Sequence, residues 1–130
     1  MIVIDSSALV SFLAGIPPRA SLNERIWAES ELHAPHVIDL EFIQAIRGLS
    51  RGGAMDPEEA GALVRDLDDL RILRYPHHRF AQRIWALRSN LTAYDAAFVA
   101  LAEALQVPLV TIDARLARAG QHLAEIEVYA

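Results

Sequence analysis

Residues 2–5 read Ile2-Val3-Ile4-Asp5, and residues 110–113 read Val110-Thr111-Ile112-Asp113. Each is a short apolar run, largely β-branched, that ends on a carboxylate. Runs without alternating polar positions predict strands buried on both faces, the kind found in parallel sheets covered by helices. In such folds ligands bind outside the carboxyl ends of the strands. If the two strands are neighbours, Asp5 and Asp113 share one rim.

Outward from these runs, strand and helix patterns alternate. A short helix follows Asp5, capped by Ser6 or Ser7, running to about Leu13 and closed by Gly15 and two prolines. Residues 19–31 predict a second helix and Leu32–Pro35 a short strand. From His36 to Leu49, Val37, Ile38, Phe42, Ala45, Ile46 and Leu49 recur at helical spacing until Gly52-Gly53. Asp56-Pro57-Glu58-Glu59 is a helix start, with a capping Asp, Pro in the first turn and two acids beside the positive helix end. That helix runs to about Leu70. Residues 71–75 predict a strand, 78–90 a helix with Phe80, Ile84, Leu87 and Leu91 on one stripe, and Thr92–Gln106 an Ala-rich helix. A short helix follows Asp113, and Ile126–Tyr129 is the last strand. The expectation is a single α/β domain over residues 1–130, with a mostly parallel central sheet of four to five short strands and helices on both faces.

Composition narrows the chemistry. The chain has 130 residues, no Cys and a net charge of −5. Disulfides, thiolate nucleophiles and Cys-based zinc sites are excluded, and a cytoplasmic location fits. The start is not that of a signal peptide, because an acid cuts its apolar run short, and no stretch is long enough to span a membrane. All 12 basic residues are Arg. The lack of Lys excludes a P-loop, a Schiff-base enzyme and a Ser-Lys dyad. His33-x-x-His36 and His77-His78 lack the further ligands that zinc needs.

Two more acids join the pair at the strand ends. Asp95 lies three residues after Thr92, the spacing of a capping box, yet the first turn of that helix points at the same rim. Glu41 lies in the helical run beside Leu40 and Phe42. Asp39, two residues earlier, falls about 200° away around the helix. Carboxylates crowded in one cleft repel each other unless a cation sits among them. Oxygen-only ligands suit Mg²⁺ or Mn²⁺, ions that activate water and stabilise the leaving oxygen of a phosphodiester.

These residues carry a family resemblance over essentially the whole chain. IVIDSSALVSFL, HVIDLEFIQAIR, LTAYDAAFVALA and LVTIDARLA, in that order, resemble the four acidic blocks of the PIN domain, and more narrowly those of VapC-type toxins from bacterial toxin–antitoxin pairs. The resemblance implies a Mg²⁺- or Mn²⁺-dependent endoribonuclease in which Asp5, Asp95 and Asp113 hold the metal and Glu41 helps bind it or orients the attacking water. Thr111 would support the acids through its hydroxyl, and Ser6 would orient Asp5 or cap its helix. It further implies a cognate antitoxin and a homodimer. The small helices around Ser7–Leu13 and Glu24–Glu31 would bound an apolar groove for the antitoxin.

From Arg71 to Tyr94 there are five Arg and no acid, interleaved with Tyr75, Phe80, Trp85 and Tyr94. Guanidinium groups bind phosphate and rings stack on splayed bases, so Arg79, Arg83, Trp85 and Arg88 are candidates for RNA binding. A dimer interface competes, since large aromatics and Arg are enriched there, and so does a solvated basic face. Phosphatases of the haloacid dehalogenase type need a second acid where Ser7 stands, and a Lys. Receiver domains fail on the same grounds, and dinucleotide-binding folds want a Gly-rich turn after the first strand. A PIN-like module that binds RNA or a partner without cleaving is the remaining alternative.

Overall fold

The computed structural model describes residues 1–130. Five strands, β1 (Val3–Ile4), β2 (Leu32–Pro35), β3 (Ile72–Tyr75), β4 (Leu109–Thr111) and β5 (Ile126–Val128), form one sheet in the order β3-β2-β1-β4-β5. Every pairing is parallel, with Val3 opposite Leu109 and Ile4 opposite Val110. The two acid-tipped strands are therefore adjacent at the centre of the sheet. Their carboxyl ends open on the same edge of the sheet, where the register sets Asp5 level with Thr111, two residues before Asp113.

Seven helices surround the sheet: α1 (Ser6–Ala14), α2 (Ala20–Trp27), α3 (Ile38–Arg51), α4 (Pro57–Asp69), α5 (Ala81–Ala86), α6 (Ala93–Leu105) and α7 (Ala114–Arg118). The most buried is α6, in which Ala96, Ala97, Phe98, Val99, Ala100, Leu101 and Ala102 are all buried. Its alanines let the helix lie close against β1, β2 and β4. Phe98, Val99 and Leu101 join Ile2, Ile4, Leu9, Ile38, Phe42 and Leu87 at the centre of one continuous core. No helix is long and apolar enough to cross a membrane.

Local chemistry sets the ends of the elements. Asp56 accepts from the Glu58 N–H at 2.9 Å and Pro57 opens α4, as the sequence predicts. Gly15 closes α1 at φ +66°, a left-handed conformation that glycine adopts without a Cβ penalty. Asp5 itself caps α1, so neither Ser6 nor Ser7 does. Residues 28–31 leave the predicted second helix, because Ala28 already caps α2. His36 stays with the sheet by donating its N–H to the Tyr75 carbonyl at 2.9 Å, and α3 begins only at Ile38.

The predicted helix over 78–90 is broken. A 3-10 turn, His77–Phe80, precedes α5, and turns follow it to Asn90. The apolar stripe keeps its burial even so: Leu87 and Leu91 are buried, with Phe80 and Ile84 packed against the same core.

Candidate functional site

Asp5 leaves β1 at the floor of the site, 7% exposed. Its Oδ1 accepts from the Ser7 hydroxyl at 2.7 Å and from the Ala8 N–H at 2.9 Å, while the Thr111 hydroxyl donates to Oδ2. A hydroxyl has one proton to give. With that proton on Asp5, Thr111 Oγ1 is left as an acceptor and takes the Asp113 N–H at 3.0 Å. Thr111 thus ties the two acids at the strand ends together. Ser7 is the serine that orients Asp5, a role the sequence alone does not separate from that of Ser6.

The other three acids come from separate elements. Glu41 lies half-buried in the first turn of α3, and its Oε1 is buried with no hydrogen-bond partner. The Ser6 hydroxyl is close enough to favour ionised Glu41, but it makes no hydrogen bond of ordinary geometry with that oxygen. Asp95 stands in the first turn of α6, where its N–H donates to Thr92 Oγ1 at 3.1 Å. The return bond of a full capping box is not made, which leaves the Asp95 carboxylate free for the cleft. Asp113 caps α7 through the Arg115 N–H at 2.9 Å. It also takes the Arg115 guanidinium, with Nη2 at 2.6 Å from Oδ2 and Nε at 3.0 Å from Oδ1.

The charges of these groups reach one another. Burial pushes the Asp5 carboxyl above its usual range, against three hydrogen bonds that favour its ionised form, and the Asp95 charge adds to the rise. Burial raises Glu41, helped by the charges of Asp95 and Asp5. Burial also raises Asp95, with the Asp113 charge next. Asp113 alone is held low, first by its hydrogen bonds from the Arg115 side chain. This is the pattern of a carboxylate cluster short of positive charge.

An all-oxygen donor set with an unpartnered buried carboxylate oxygen fits a hard divalent cation. As the side chains stand, no three acids or histidines converge tightly enough to enclose an ion. The histidines form no metal site either: buried His33 pairs through Nδ1 with the Tyr75 hydroxyl at 2.8 Å, and the His36 and His77 rings are 6.5 Å apart.

The basic segment divides by role. Arg83 binds both carboxylate oxygens of Glu103 at 2.8 Å, so it is a structural ion pair and not a free RNA contact. Its sequence separation from Glu103 hid that role. Arg88 lies 4.4 Å over the ring of Trp85, which is 65% exposed. Arg79 is exposed and makes no ion pair. Asp39 takes both ends of the Arg74 fork at 2.7 Å, and is no part of the acidic cluster. An open cavity of about 680 Å³ beside Glu41 is lined by Ser6, Val37, Leu40, Ile43 and Tyr94. A smaller one, about 180 Å³, lies among Phe12, Ile26, Trp27 and Leu70, in the region of the predicted early groove.

A family profile for the PIN domain matches residues 2–121. Ribonuclease VapC12 of Mycobacterium tuberculosis is 42% identical over 130 residues, covering all of both chains. The VapC ribonuclease Mb0985 of Mycobacterium bovis is 39% identical over 128 residues, 98% of each chain. Among solved structures, PAE2754 from Pyrobaculum aerophilum superposes with a TM-score of 0.70 at 23% identity, covering 96% of this chain and 87% of that one. VapBC2 from Rickettsia felis, bound to a DNA fragment from its promoter, gives a TM-score of 0.69 at 14% identity over the full length of both chains.

Proposed function

The chain belongs to the PIN-domain family, and from that premise we propose that it is a divalent-metal-dependent endoribonuclease, the toxin of a toxin–antitoxin pair. The observation that carries this reading is the meeting of Asp5, Glu41, Asp95 and Asp113 at one end of the sheet, with three of the four pushed up by burial and mutual repulsion. Asp5, Asp95 and Asp113 would hold Mg²⁺ or Mn²⁺, with Glu41 as a further ligand or as the group that orients water. Such an ion, when bound, supplies charge that makes water a better nucleophile and stabilises the leaving oxygen.

The residues of the chain divide the remaining work. Thr111, Ser7 and the Ala8 N–H hold Asp5 in one orientation, so that its carboxylate needs little reorganisation. Glu41, half-buried in the first turn of α3 with one carboxylate oxygen unpartnered, would complete the metal's ligands or orient the attacking water. Asp95 projects from the first turn of α6, whose backbone fixes its direction.

Relatives named as VapC ribonucleases support the substrate class, RNA, and the VapBC neighbour supports an antitoxin as partner. The exposed Trp27 and the cavity beside it offer an antitoxin an apolar foothold. The exposed Trp85, Leu40 and Tyr94 suit a second copy of the chain, and the cytoplasm is the proposed location.

The test is incubation of the partner-free protein with total bacterial RNA and Mg²⁺ or Mn²⁺. Discrete fragments that disappear with a chelator and in Asp95→Asn are expected. No cleavage by folded, metal-bound protein would replace the nuclease with a binding module.

A further inference from the structure

Arg115 is the second residue of α7, and its side chain is 78% exposed. Every hydrogen bond it donates goes to Asp113. Its guanidinium takes both carboxylate oxygens at 2.6–3.1 Å, and its backbone N–H takes Oδ1 as well. The oxygens that Asp113 would give to a metal are therefore already engaged by a cation. Of the four acids, Asp113 is the one that carries such a partner, and the cluster as it stands encloses no ion site. Nothing else anchors the guanidinium, and an exposed arginine is free to swing. Its planar fork matches a phosphate as well as it matches a carboxylate.

We propose that Arg115 is a displaceable counter-cation: it and the divalent ion exclude each other at Asp113, and once displaced it binds a phosphate of the RNA at the rim. This rests on the metal-dependent nuclease reading above. Binding of the ion thereby exposes a phosphate ligand, so that metal and RNA bind cooperatively. Removing a surface ion pair that competes with the metal is worth about a two- to fivefold gain in metal affinity. Losing one phosphate contact lowers the slope of log affinity against log salt by about 0.7 for single-stranded RNA.

The experiment is calorimetric titration of Mn²⁺ into the wild type, Arg115→Ala, Arg118→Ala, Asp113→Asn, the Asp113→Asn/Arg115→Ala double variant and Asp95→Asn. Arg118 lies on the same helix and its charge also reaches Asp113, without contact. Arg115→Ala is expected to bind Mn²⁺ about two- to fivefold more tightly. Arg118→Ala should change affinity far less, and Arg115→Ala should add nothing in the Asp113→Asn background. Anisotropy with a short 2′-O-methyl uridine oligonucleotide in Mn²⁺ should show weaker binding and the shallower salt slope for Arg115→Ala. Unchanged or weaker Mn²⁺ binding by Arg115→Ala, an equal gain in Arg118→Ala, or an unchanged salt slope each overturns the proposal. Equal Mn²⁺ binding by the wild type and Asp95→Asn would instead overturn the metal-site reading beneath it.

Discussion

Thr111→Val removes one hydroxyl from the floor of the site and keeps the shape of the side chain. Thr111 is fully buried, and its hydroxyl donates to the buried Asp5 carboxylate while accepting from the Asp113 N–H. A hydrogen bond to a charged group contributes about 1.5–3 kcal/mol. We expect a loss of about 2 kcal/mol, or roughly 8 °C in Tm for a domain of this size. Urea denaturation at neutral pH measures it. The Asp113 N–H loses its acceptor whatever stands at position 5, so a double-mutant cycle with Asp5→Asn cancels that part. In the Asp5→Asn background the cost should be smaller by about 1 kcal/mol, the difference between a charged and a neutral hydrogen bond. Equal costs in the two backgrounds, or none in the wild type, would refute the claim that Thr111 serves the Asp5 charge.

Asp39→Asn should leave RNA cleavage intact and cost no more than about 1 kcal/mol, because Asp39 is committed to a part-exposed pair with Arg74 outside the cluster; loss of cleavage would contradict the assignment. Leu87→Ala should cost about 2–5 kcal/mol in urea denaturation, since Leu87 is fully buried although it lies beyond the end of α5. Glu127 is held below its ordinary value of 4.5 first by the hydrogen bonds from Arg25. A lowered folded value means stability that is present above 4.5 and lost as pH falls through the folded value. Arg25→Ala should therefore be less stable at neutral pH and lose less Tm on acidification below that point; an acid slope as steep as the wild type's would argue against it.

The strands could be read because β1 and β4 are apolar at consecutive positions, and that pattern has few other uses. Their adjacency is not written in either run; it comes from the pairing of Ile4 with Val110. The positions of Asp5, Asp113 and Asp95 were legible because the local sequence marks two strand ends and a capped first helical turn; Glu41 also lies in a first turn, but the apolar run that starts at Val37 hides where α3 begins. What the sequence left out depends on side-chain direction. Ser7, not Ser6, bonds Asp5, because Asp5 is itself the cap and turns its carboxylate over the first turn. The Arg83–Glu103 pair joins residues far apart in the chain, and nothing local announces it. The helix over 78–90 failed because its periodicity persists through turns that bury the same stripe.

The central claim, that the four acids act together on one cation, is tested most directly by thermal unfolding of the wild type and Asp95→Asn across a Mn²⁺ series. At a free concentration about a hundredfold above Kd, the wild type should gain about 2.7 kcal/mol, seen as a Tm rise of roughly 10 °C. Asp95→Asn should gain almost nothing over the same range. An equal rise in the variant would place the ion elsewhere and contradict the account.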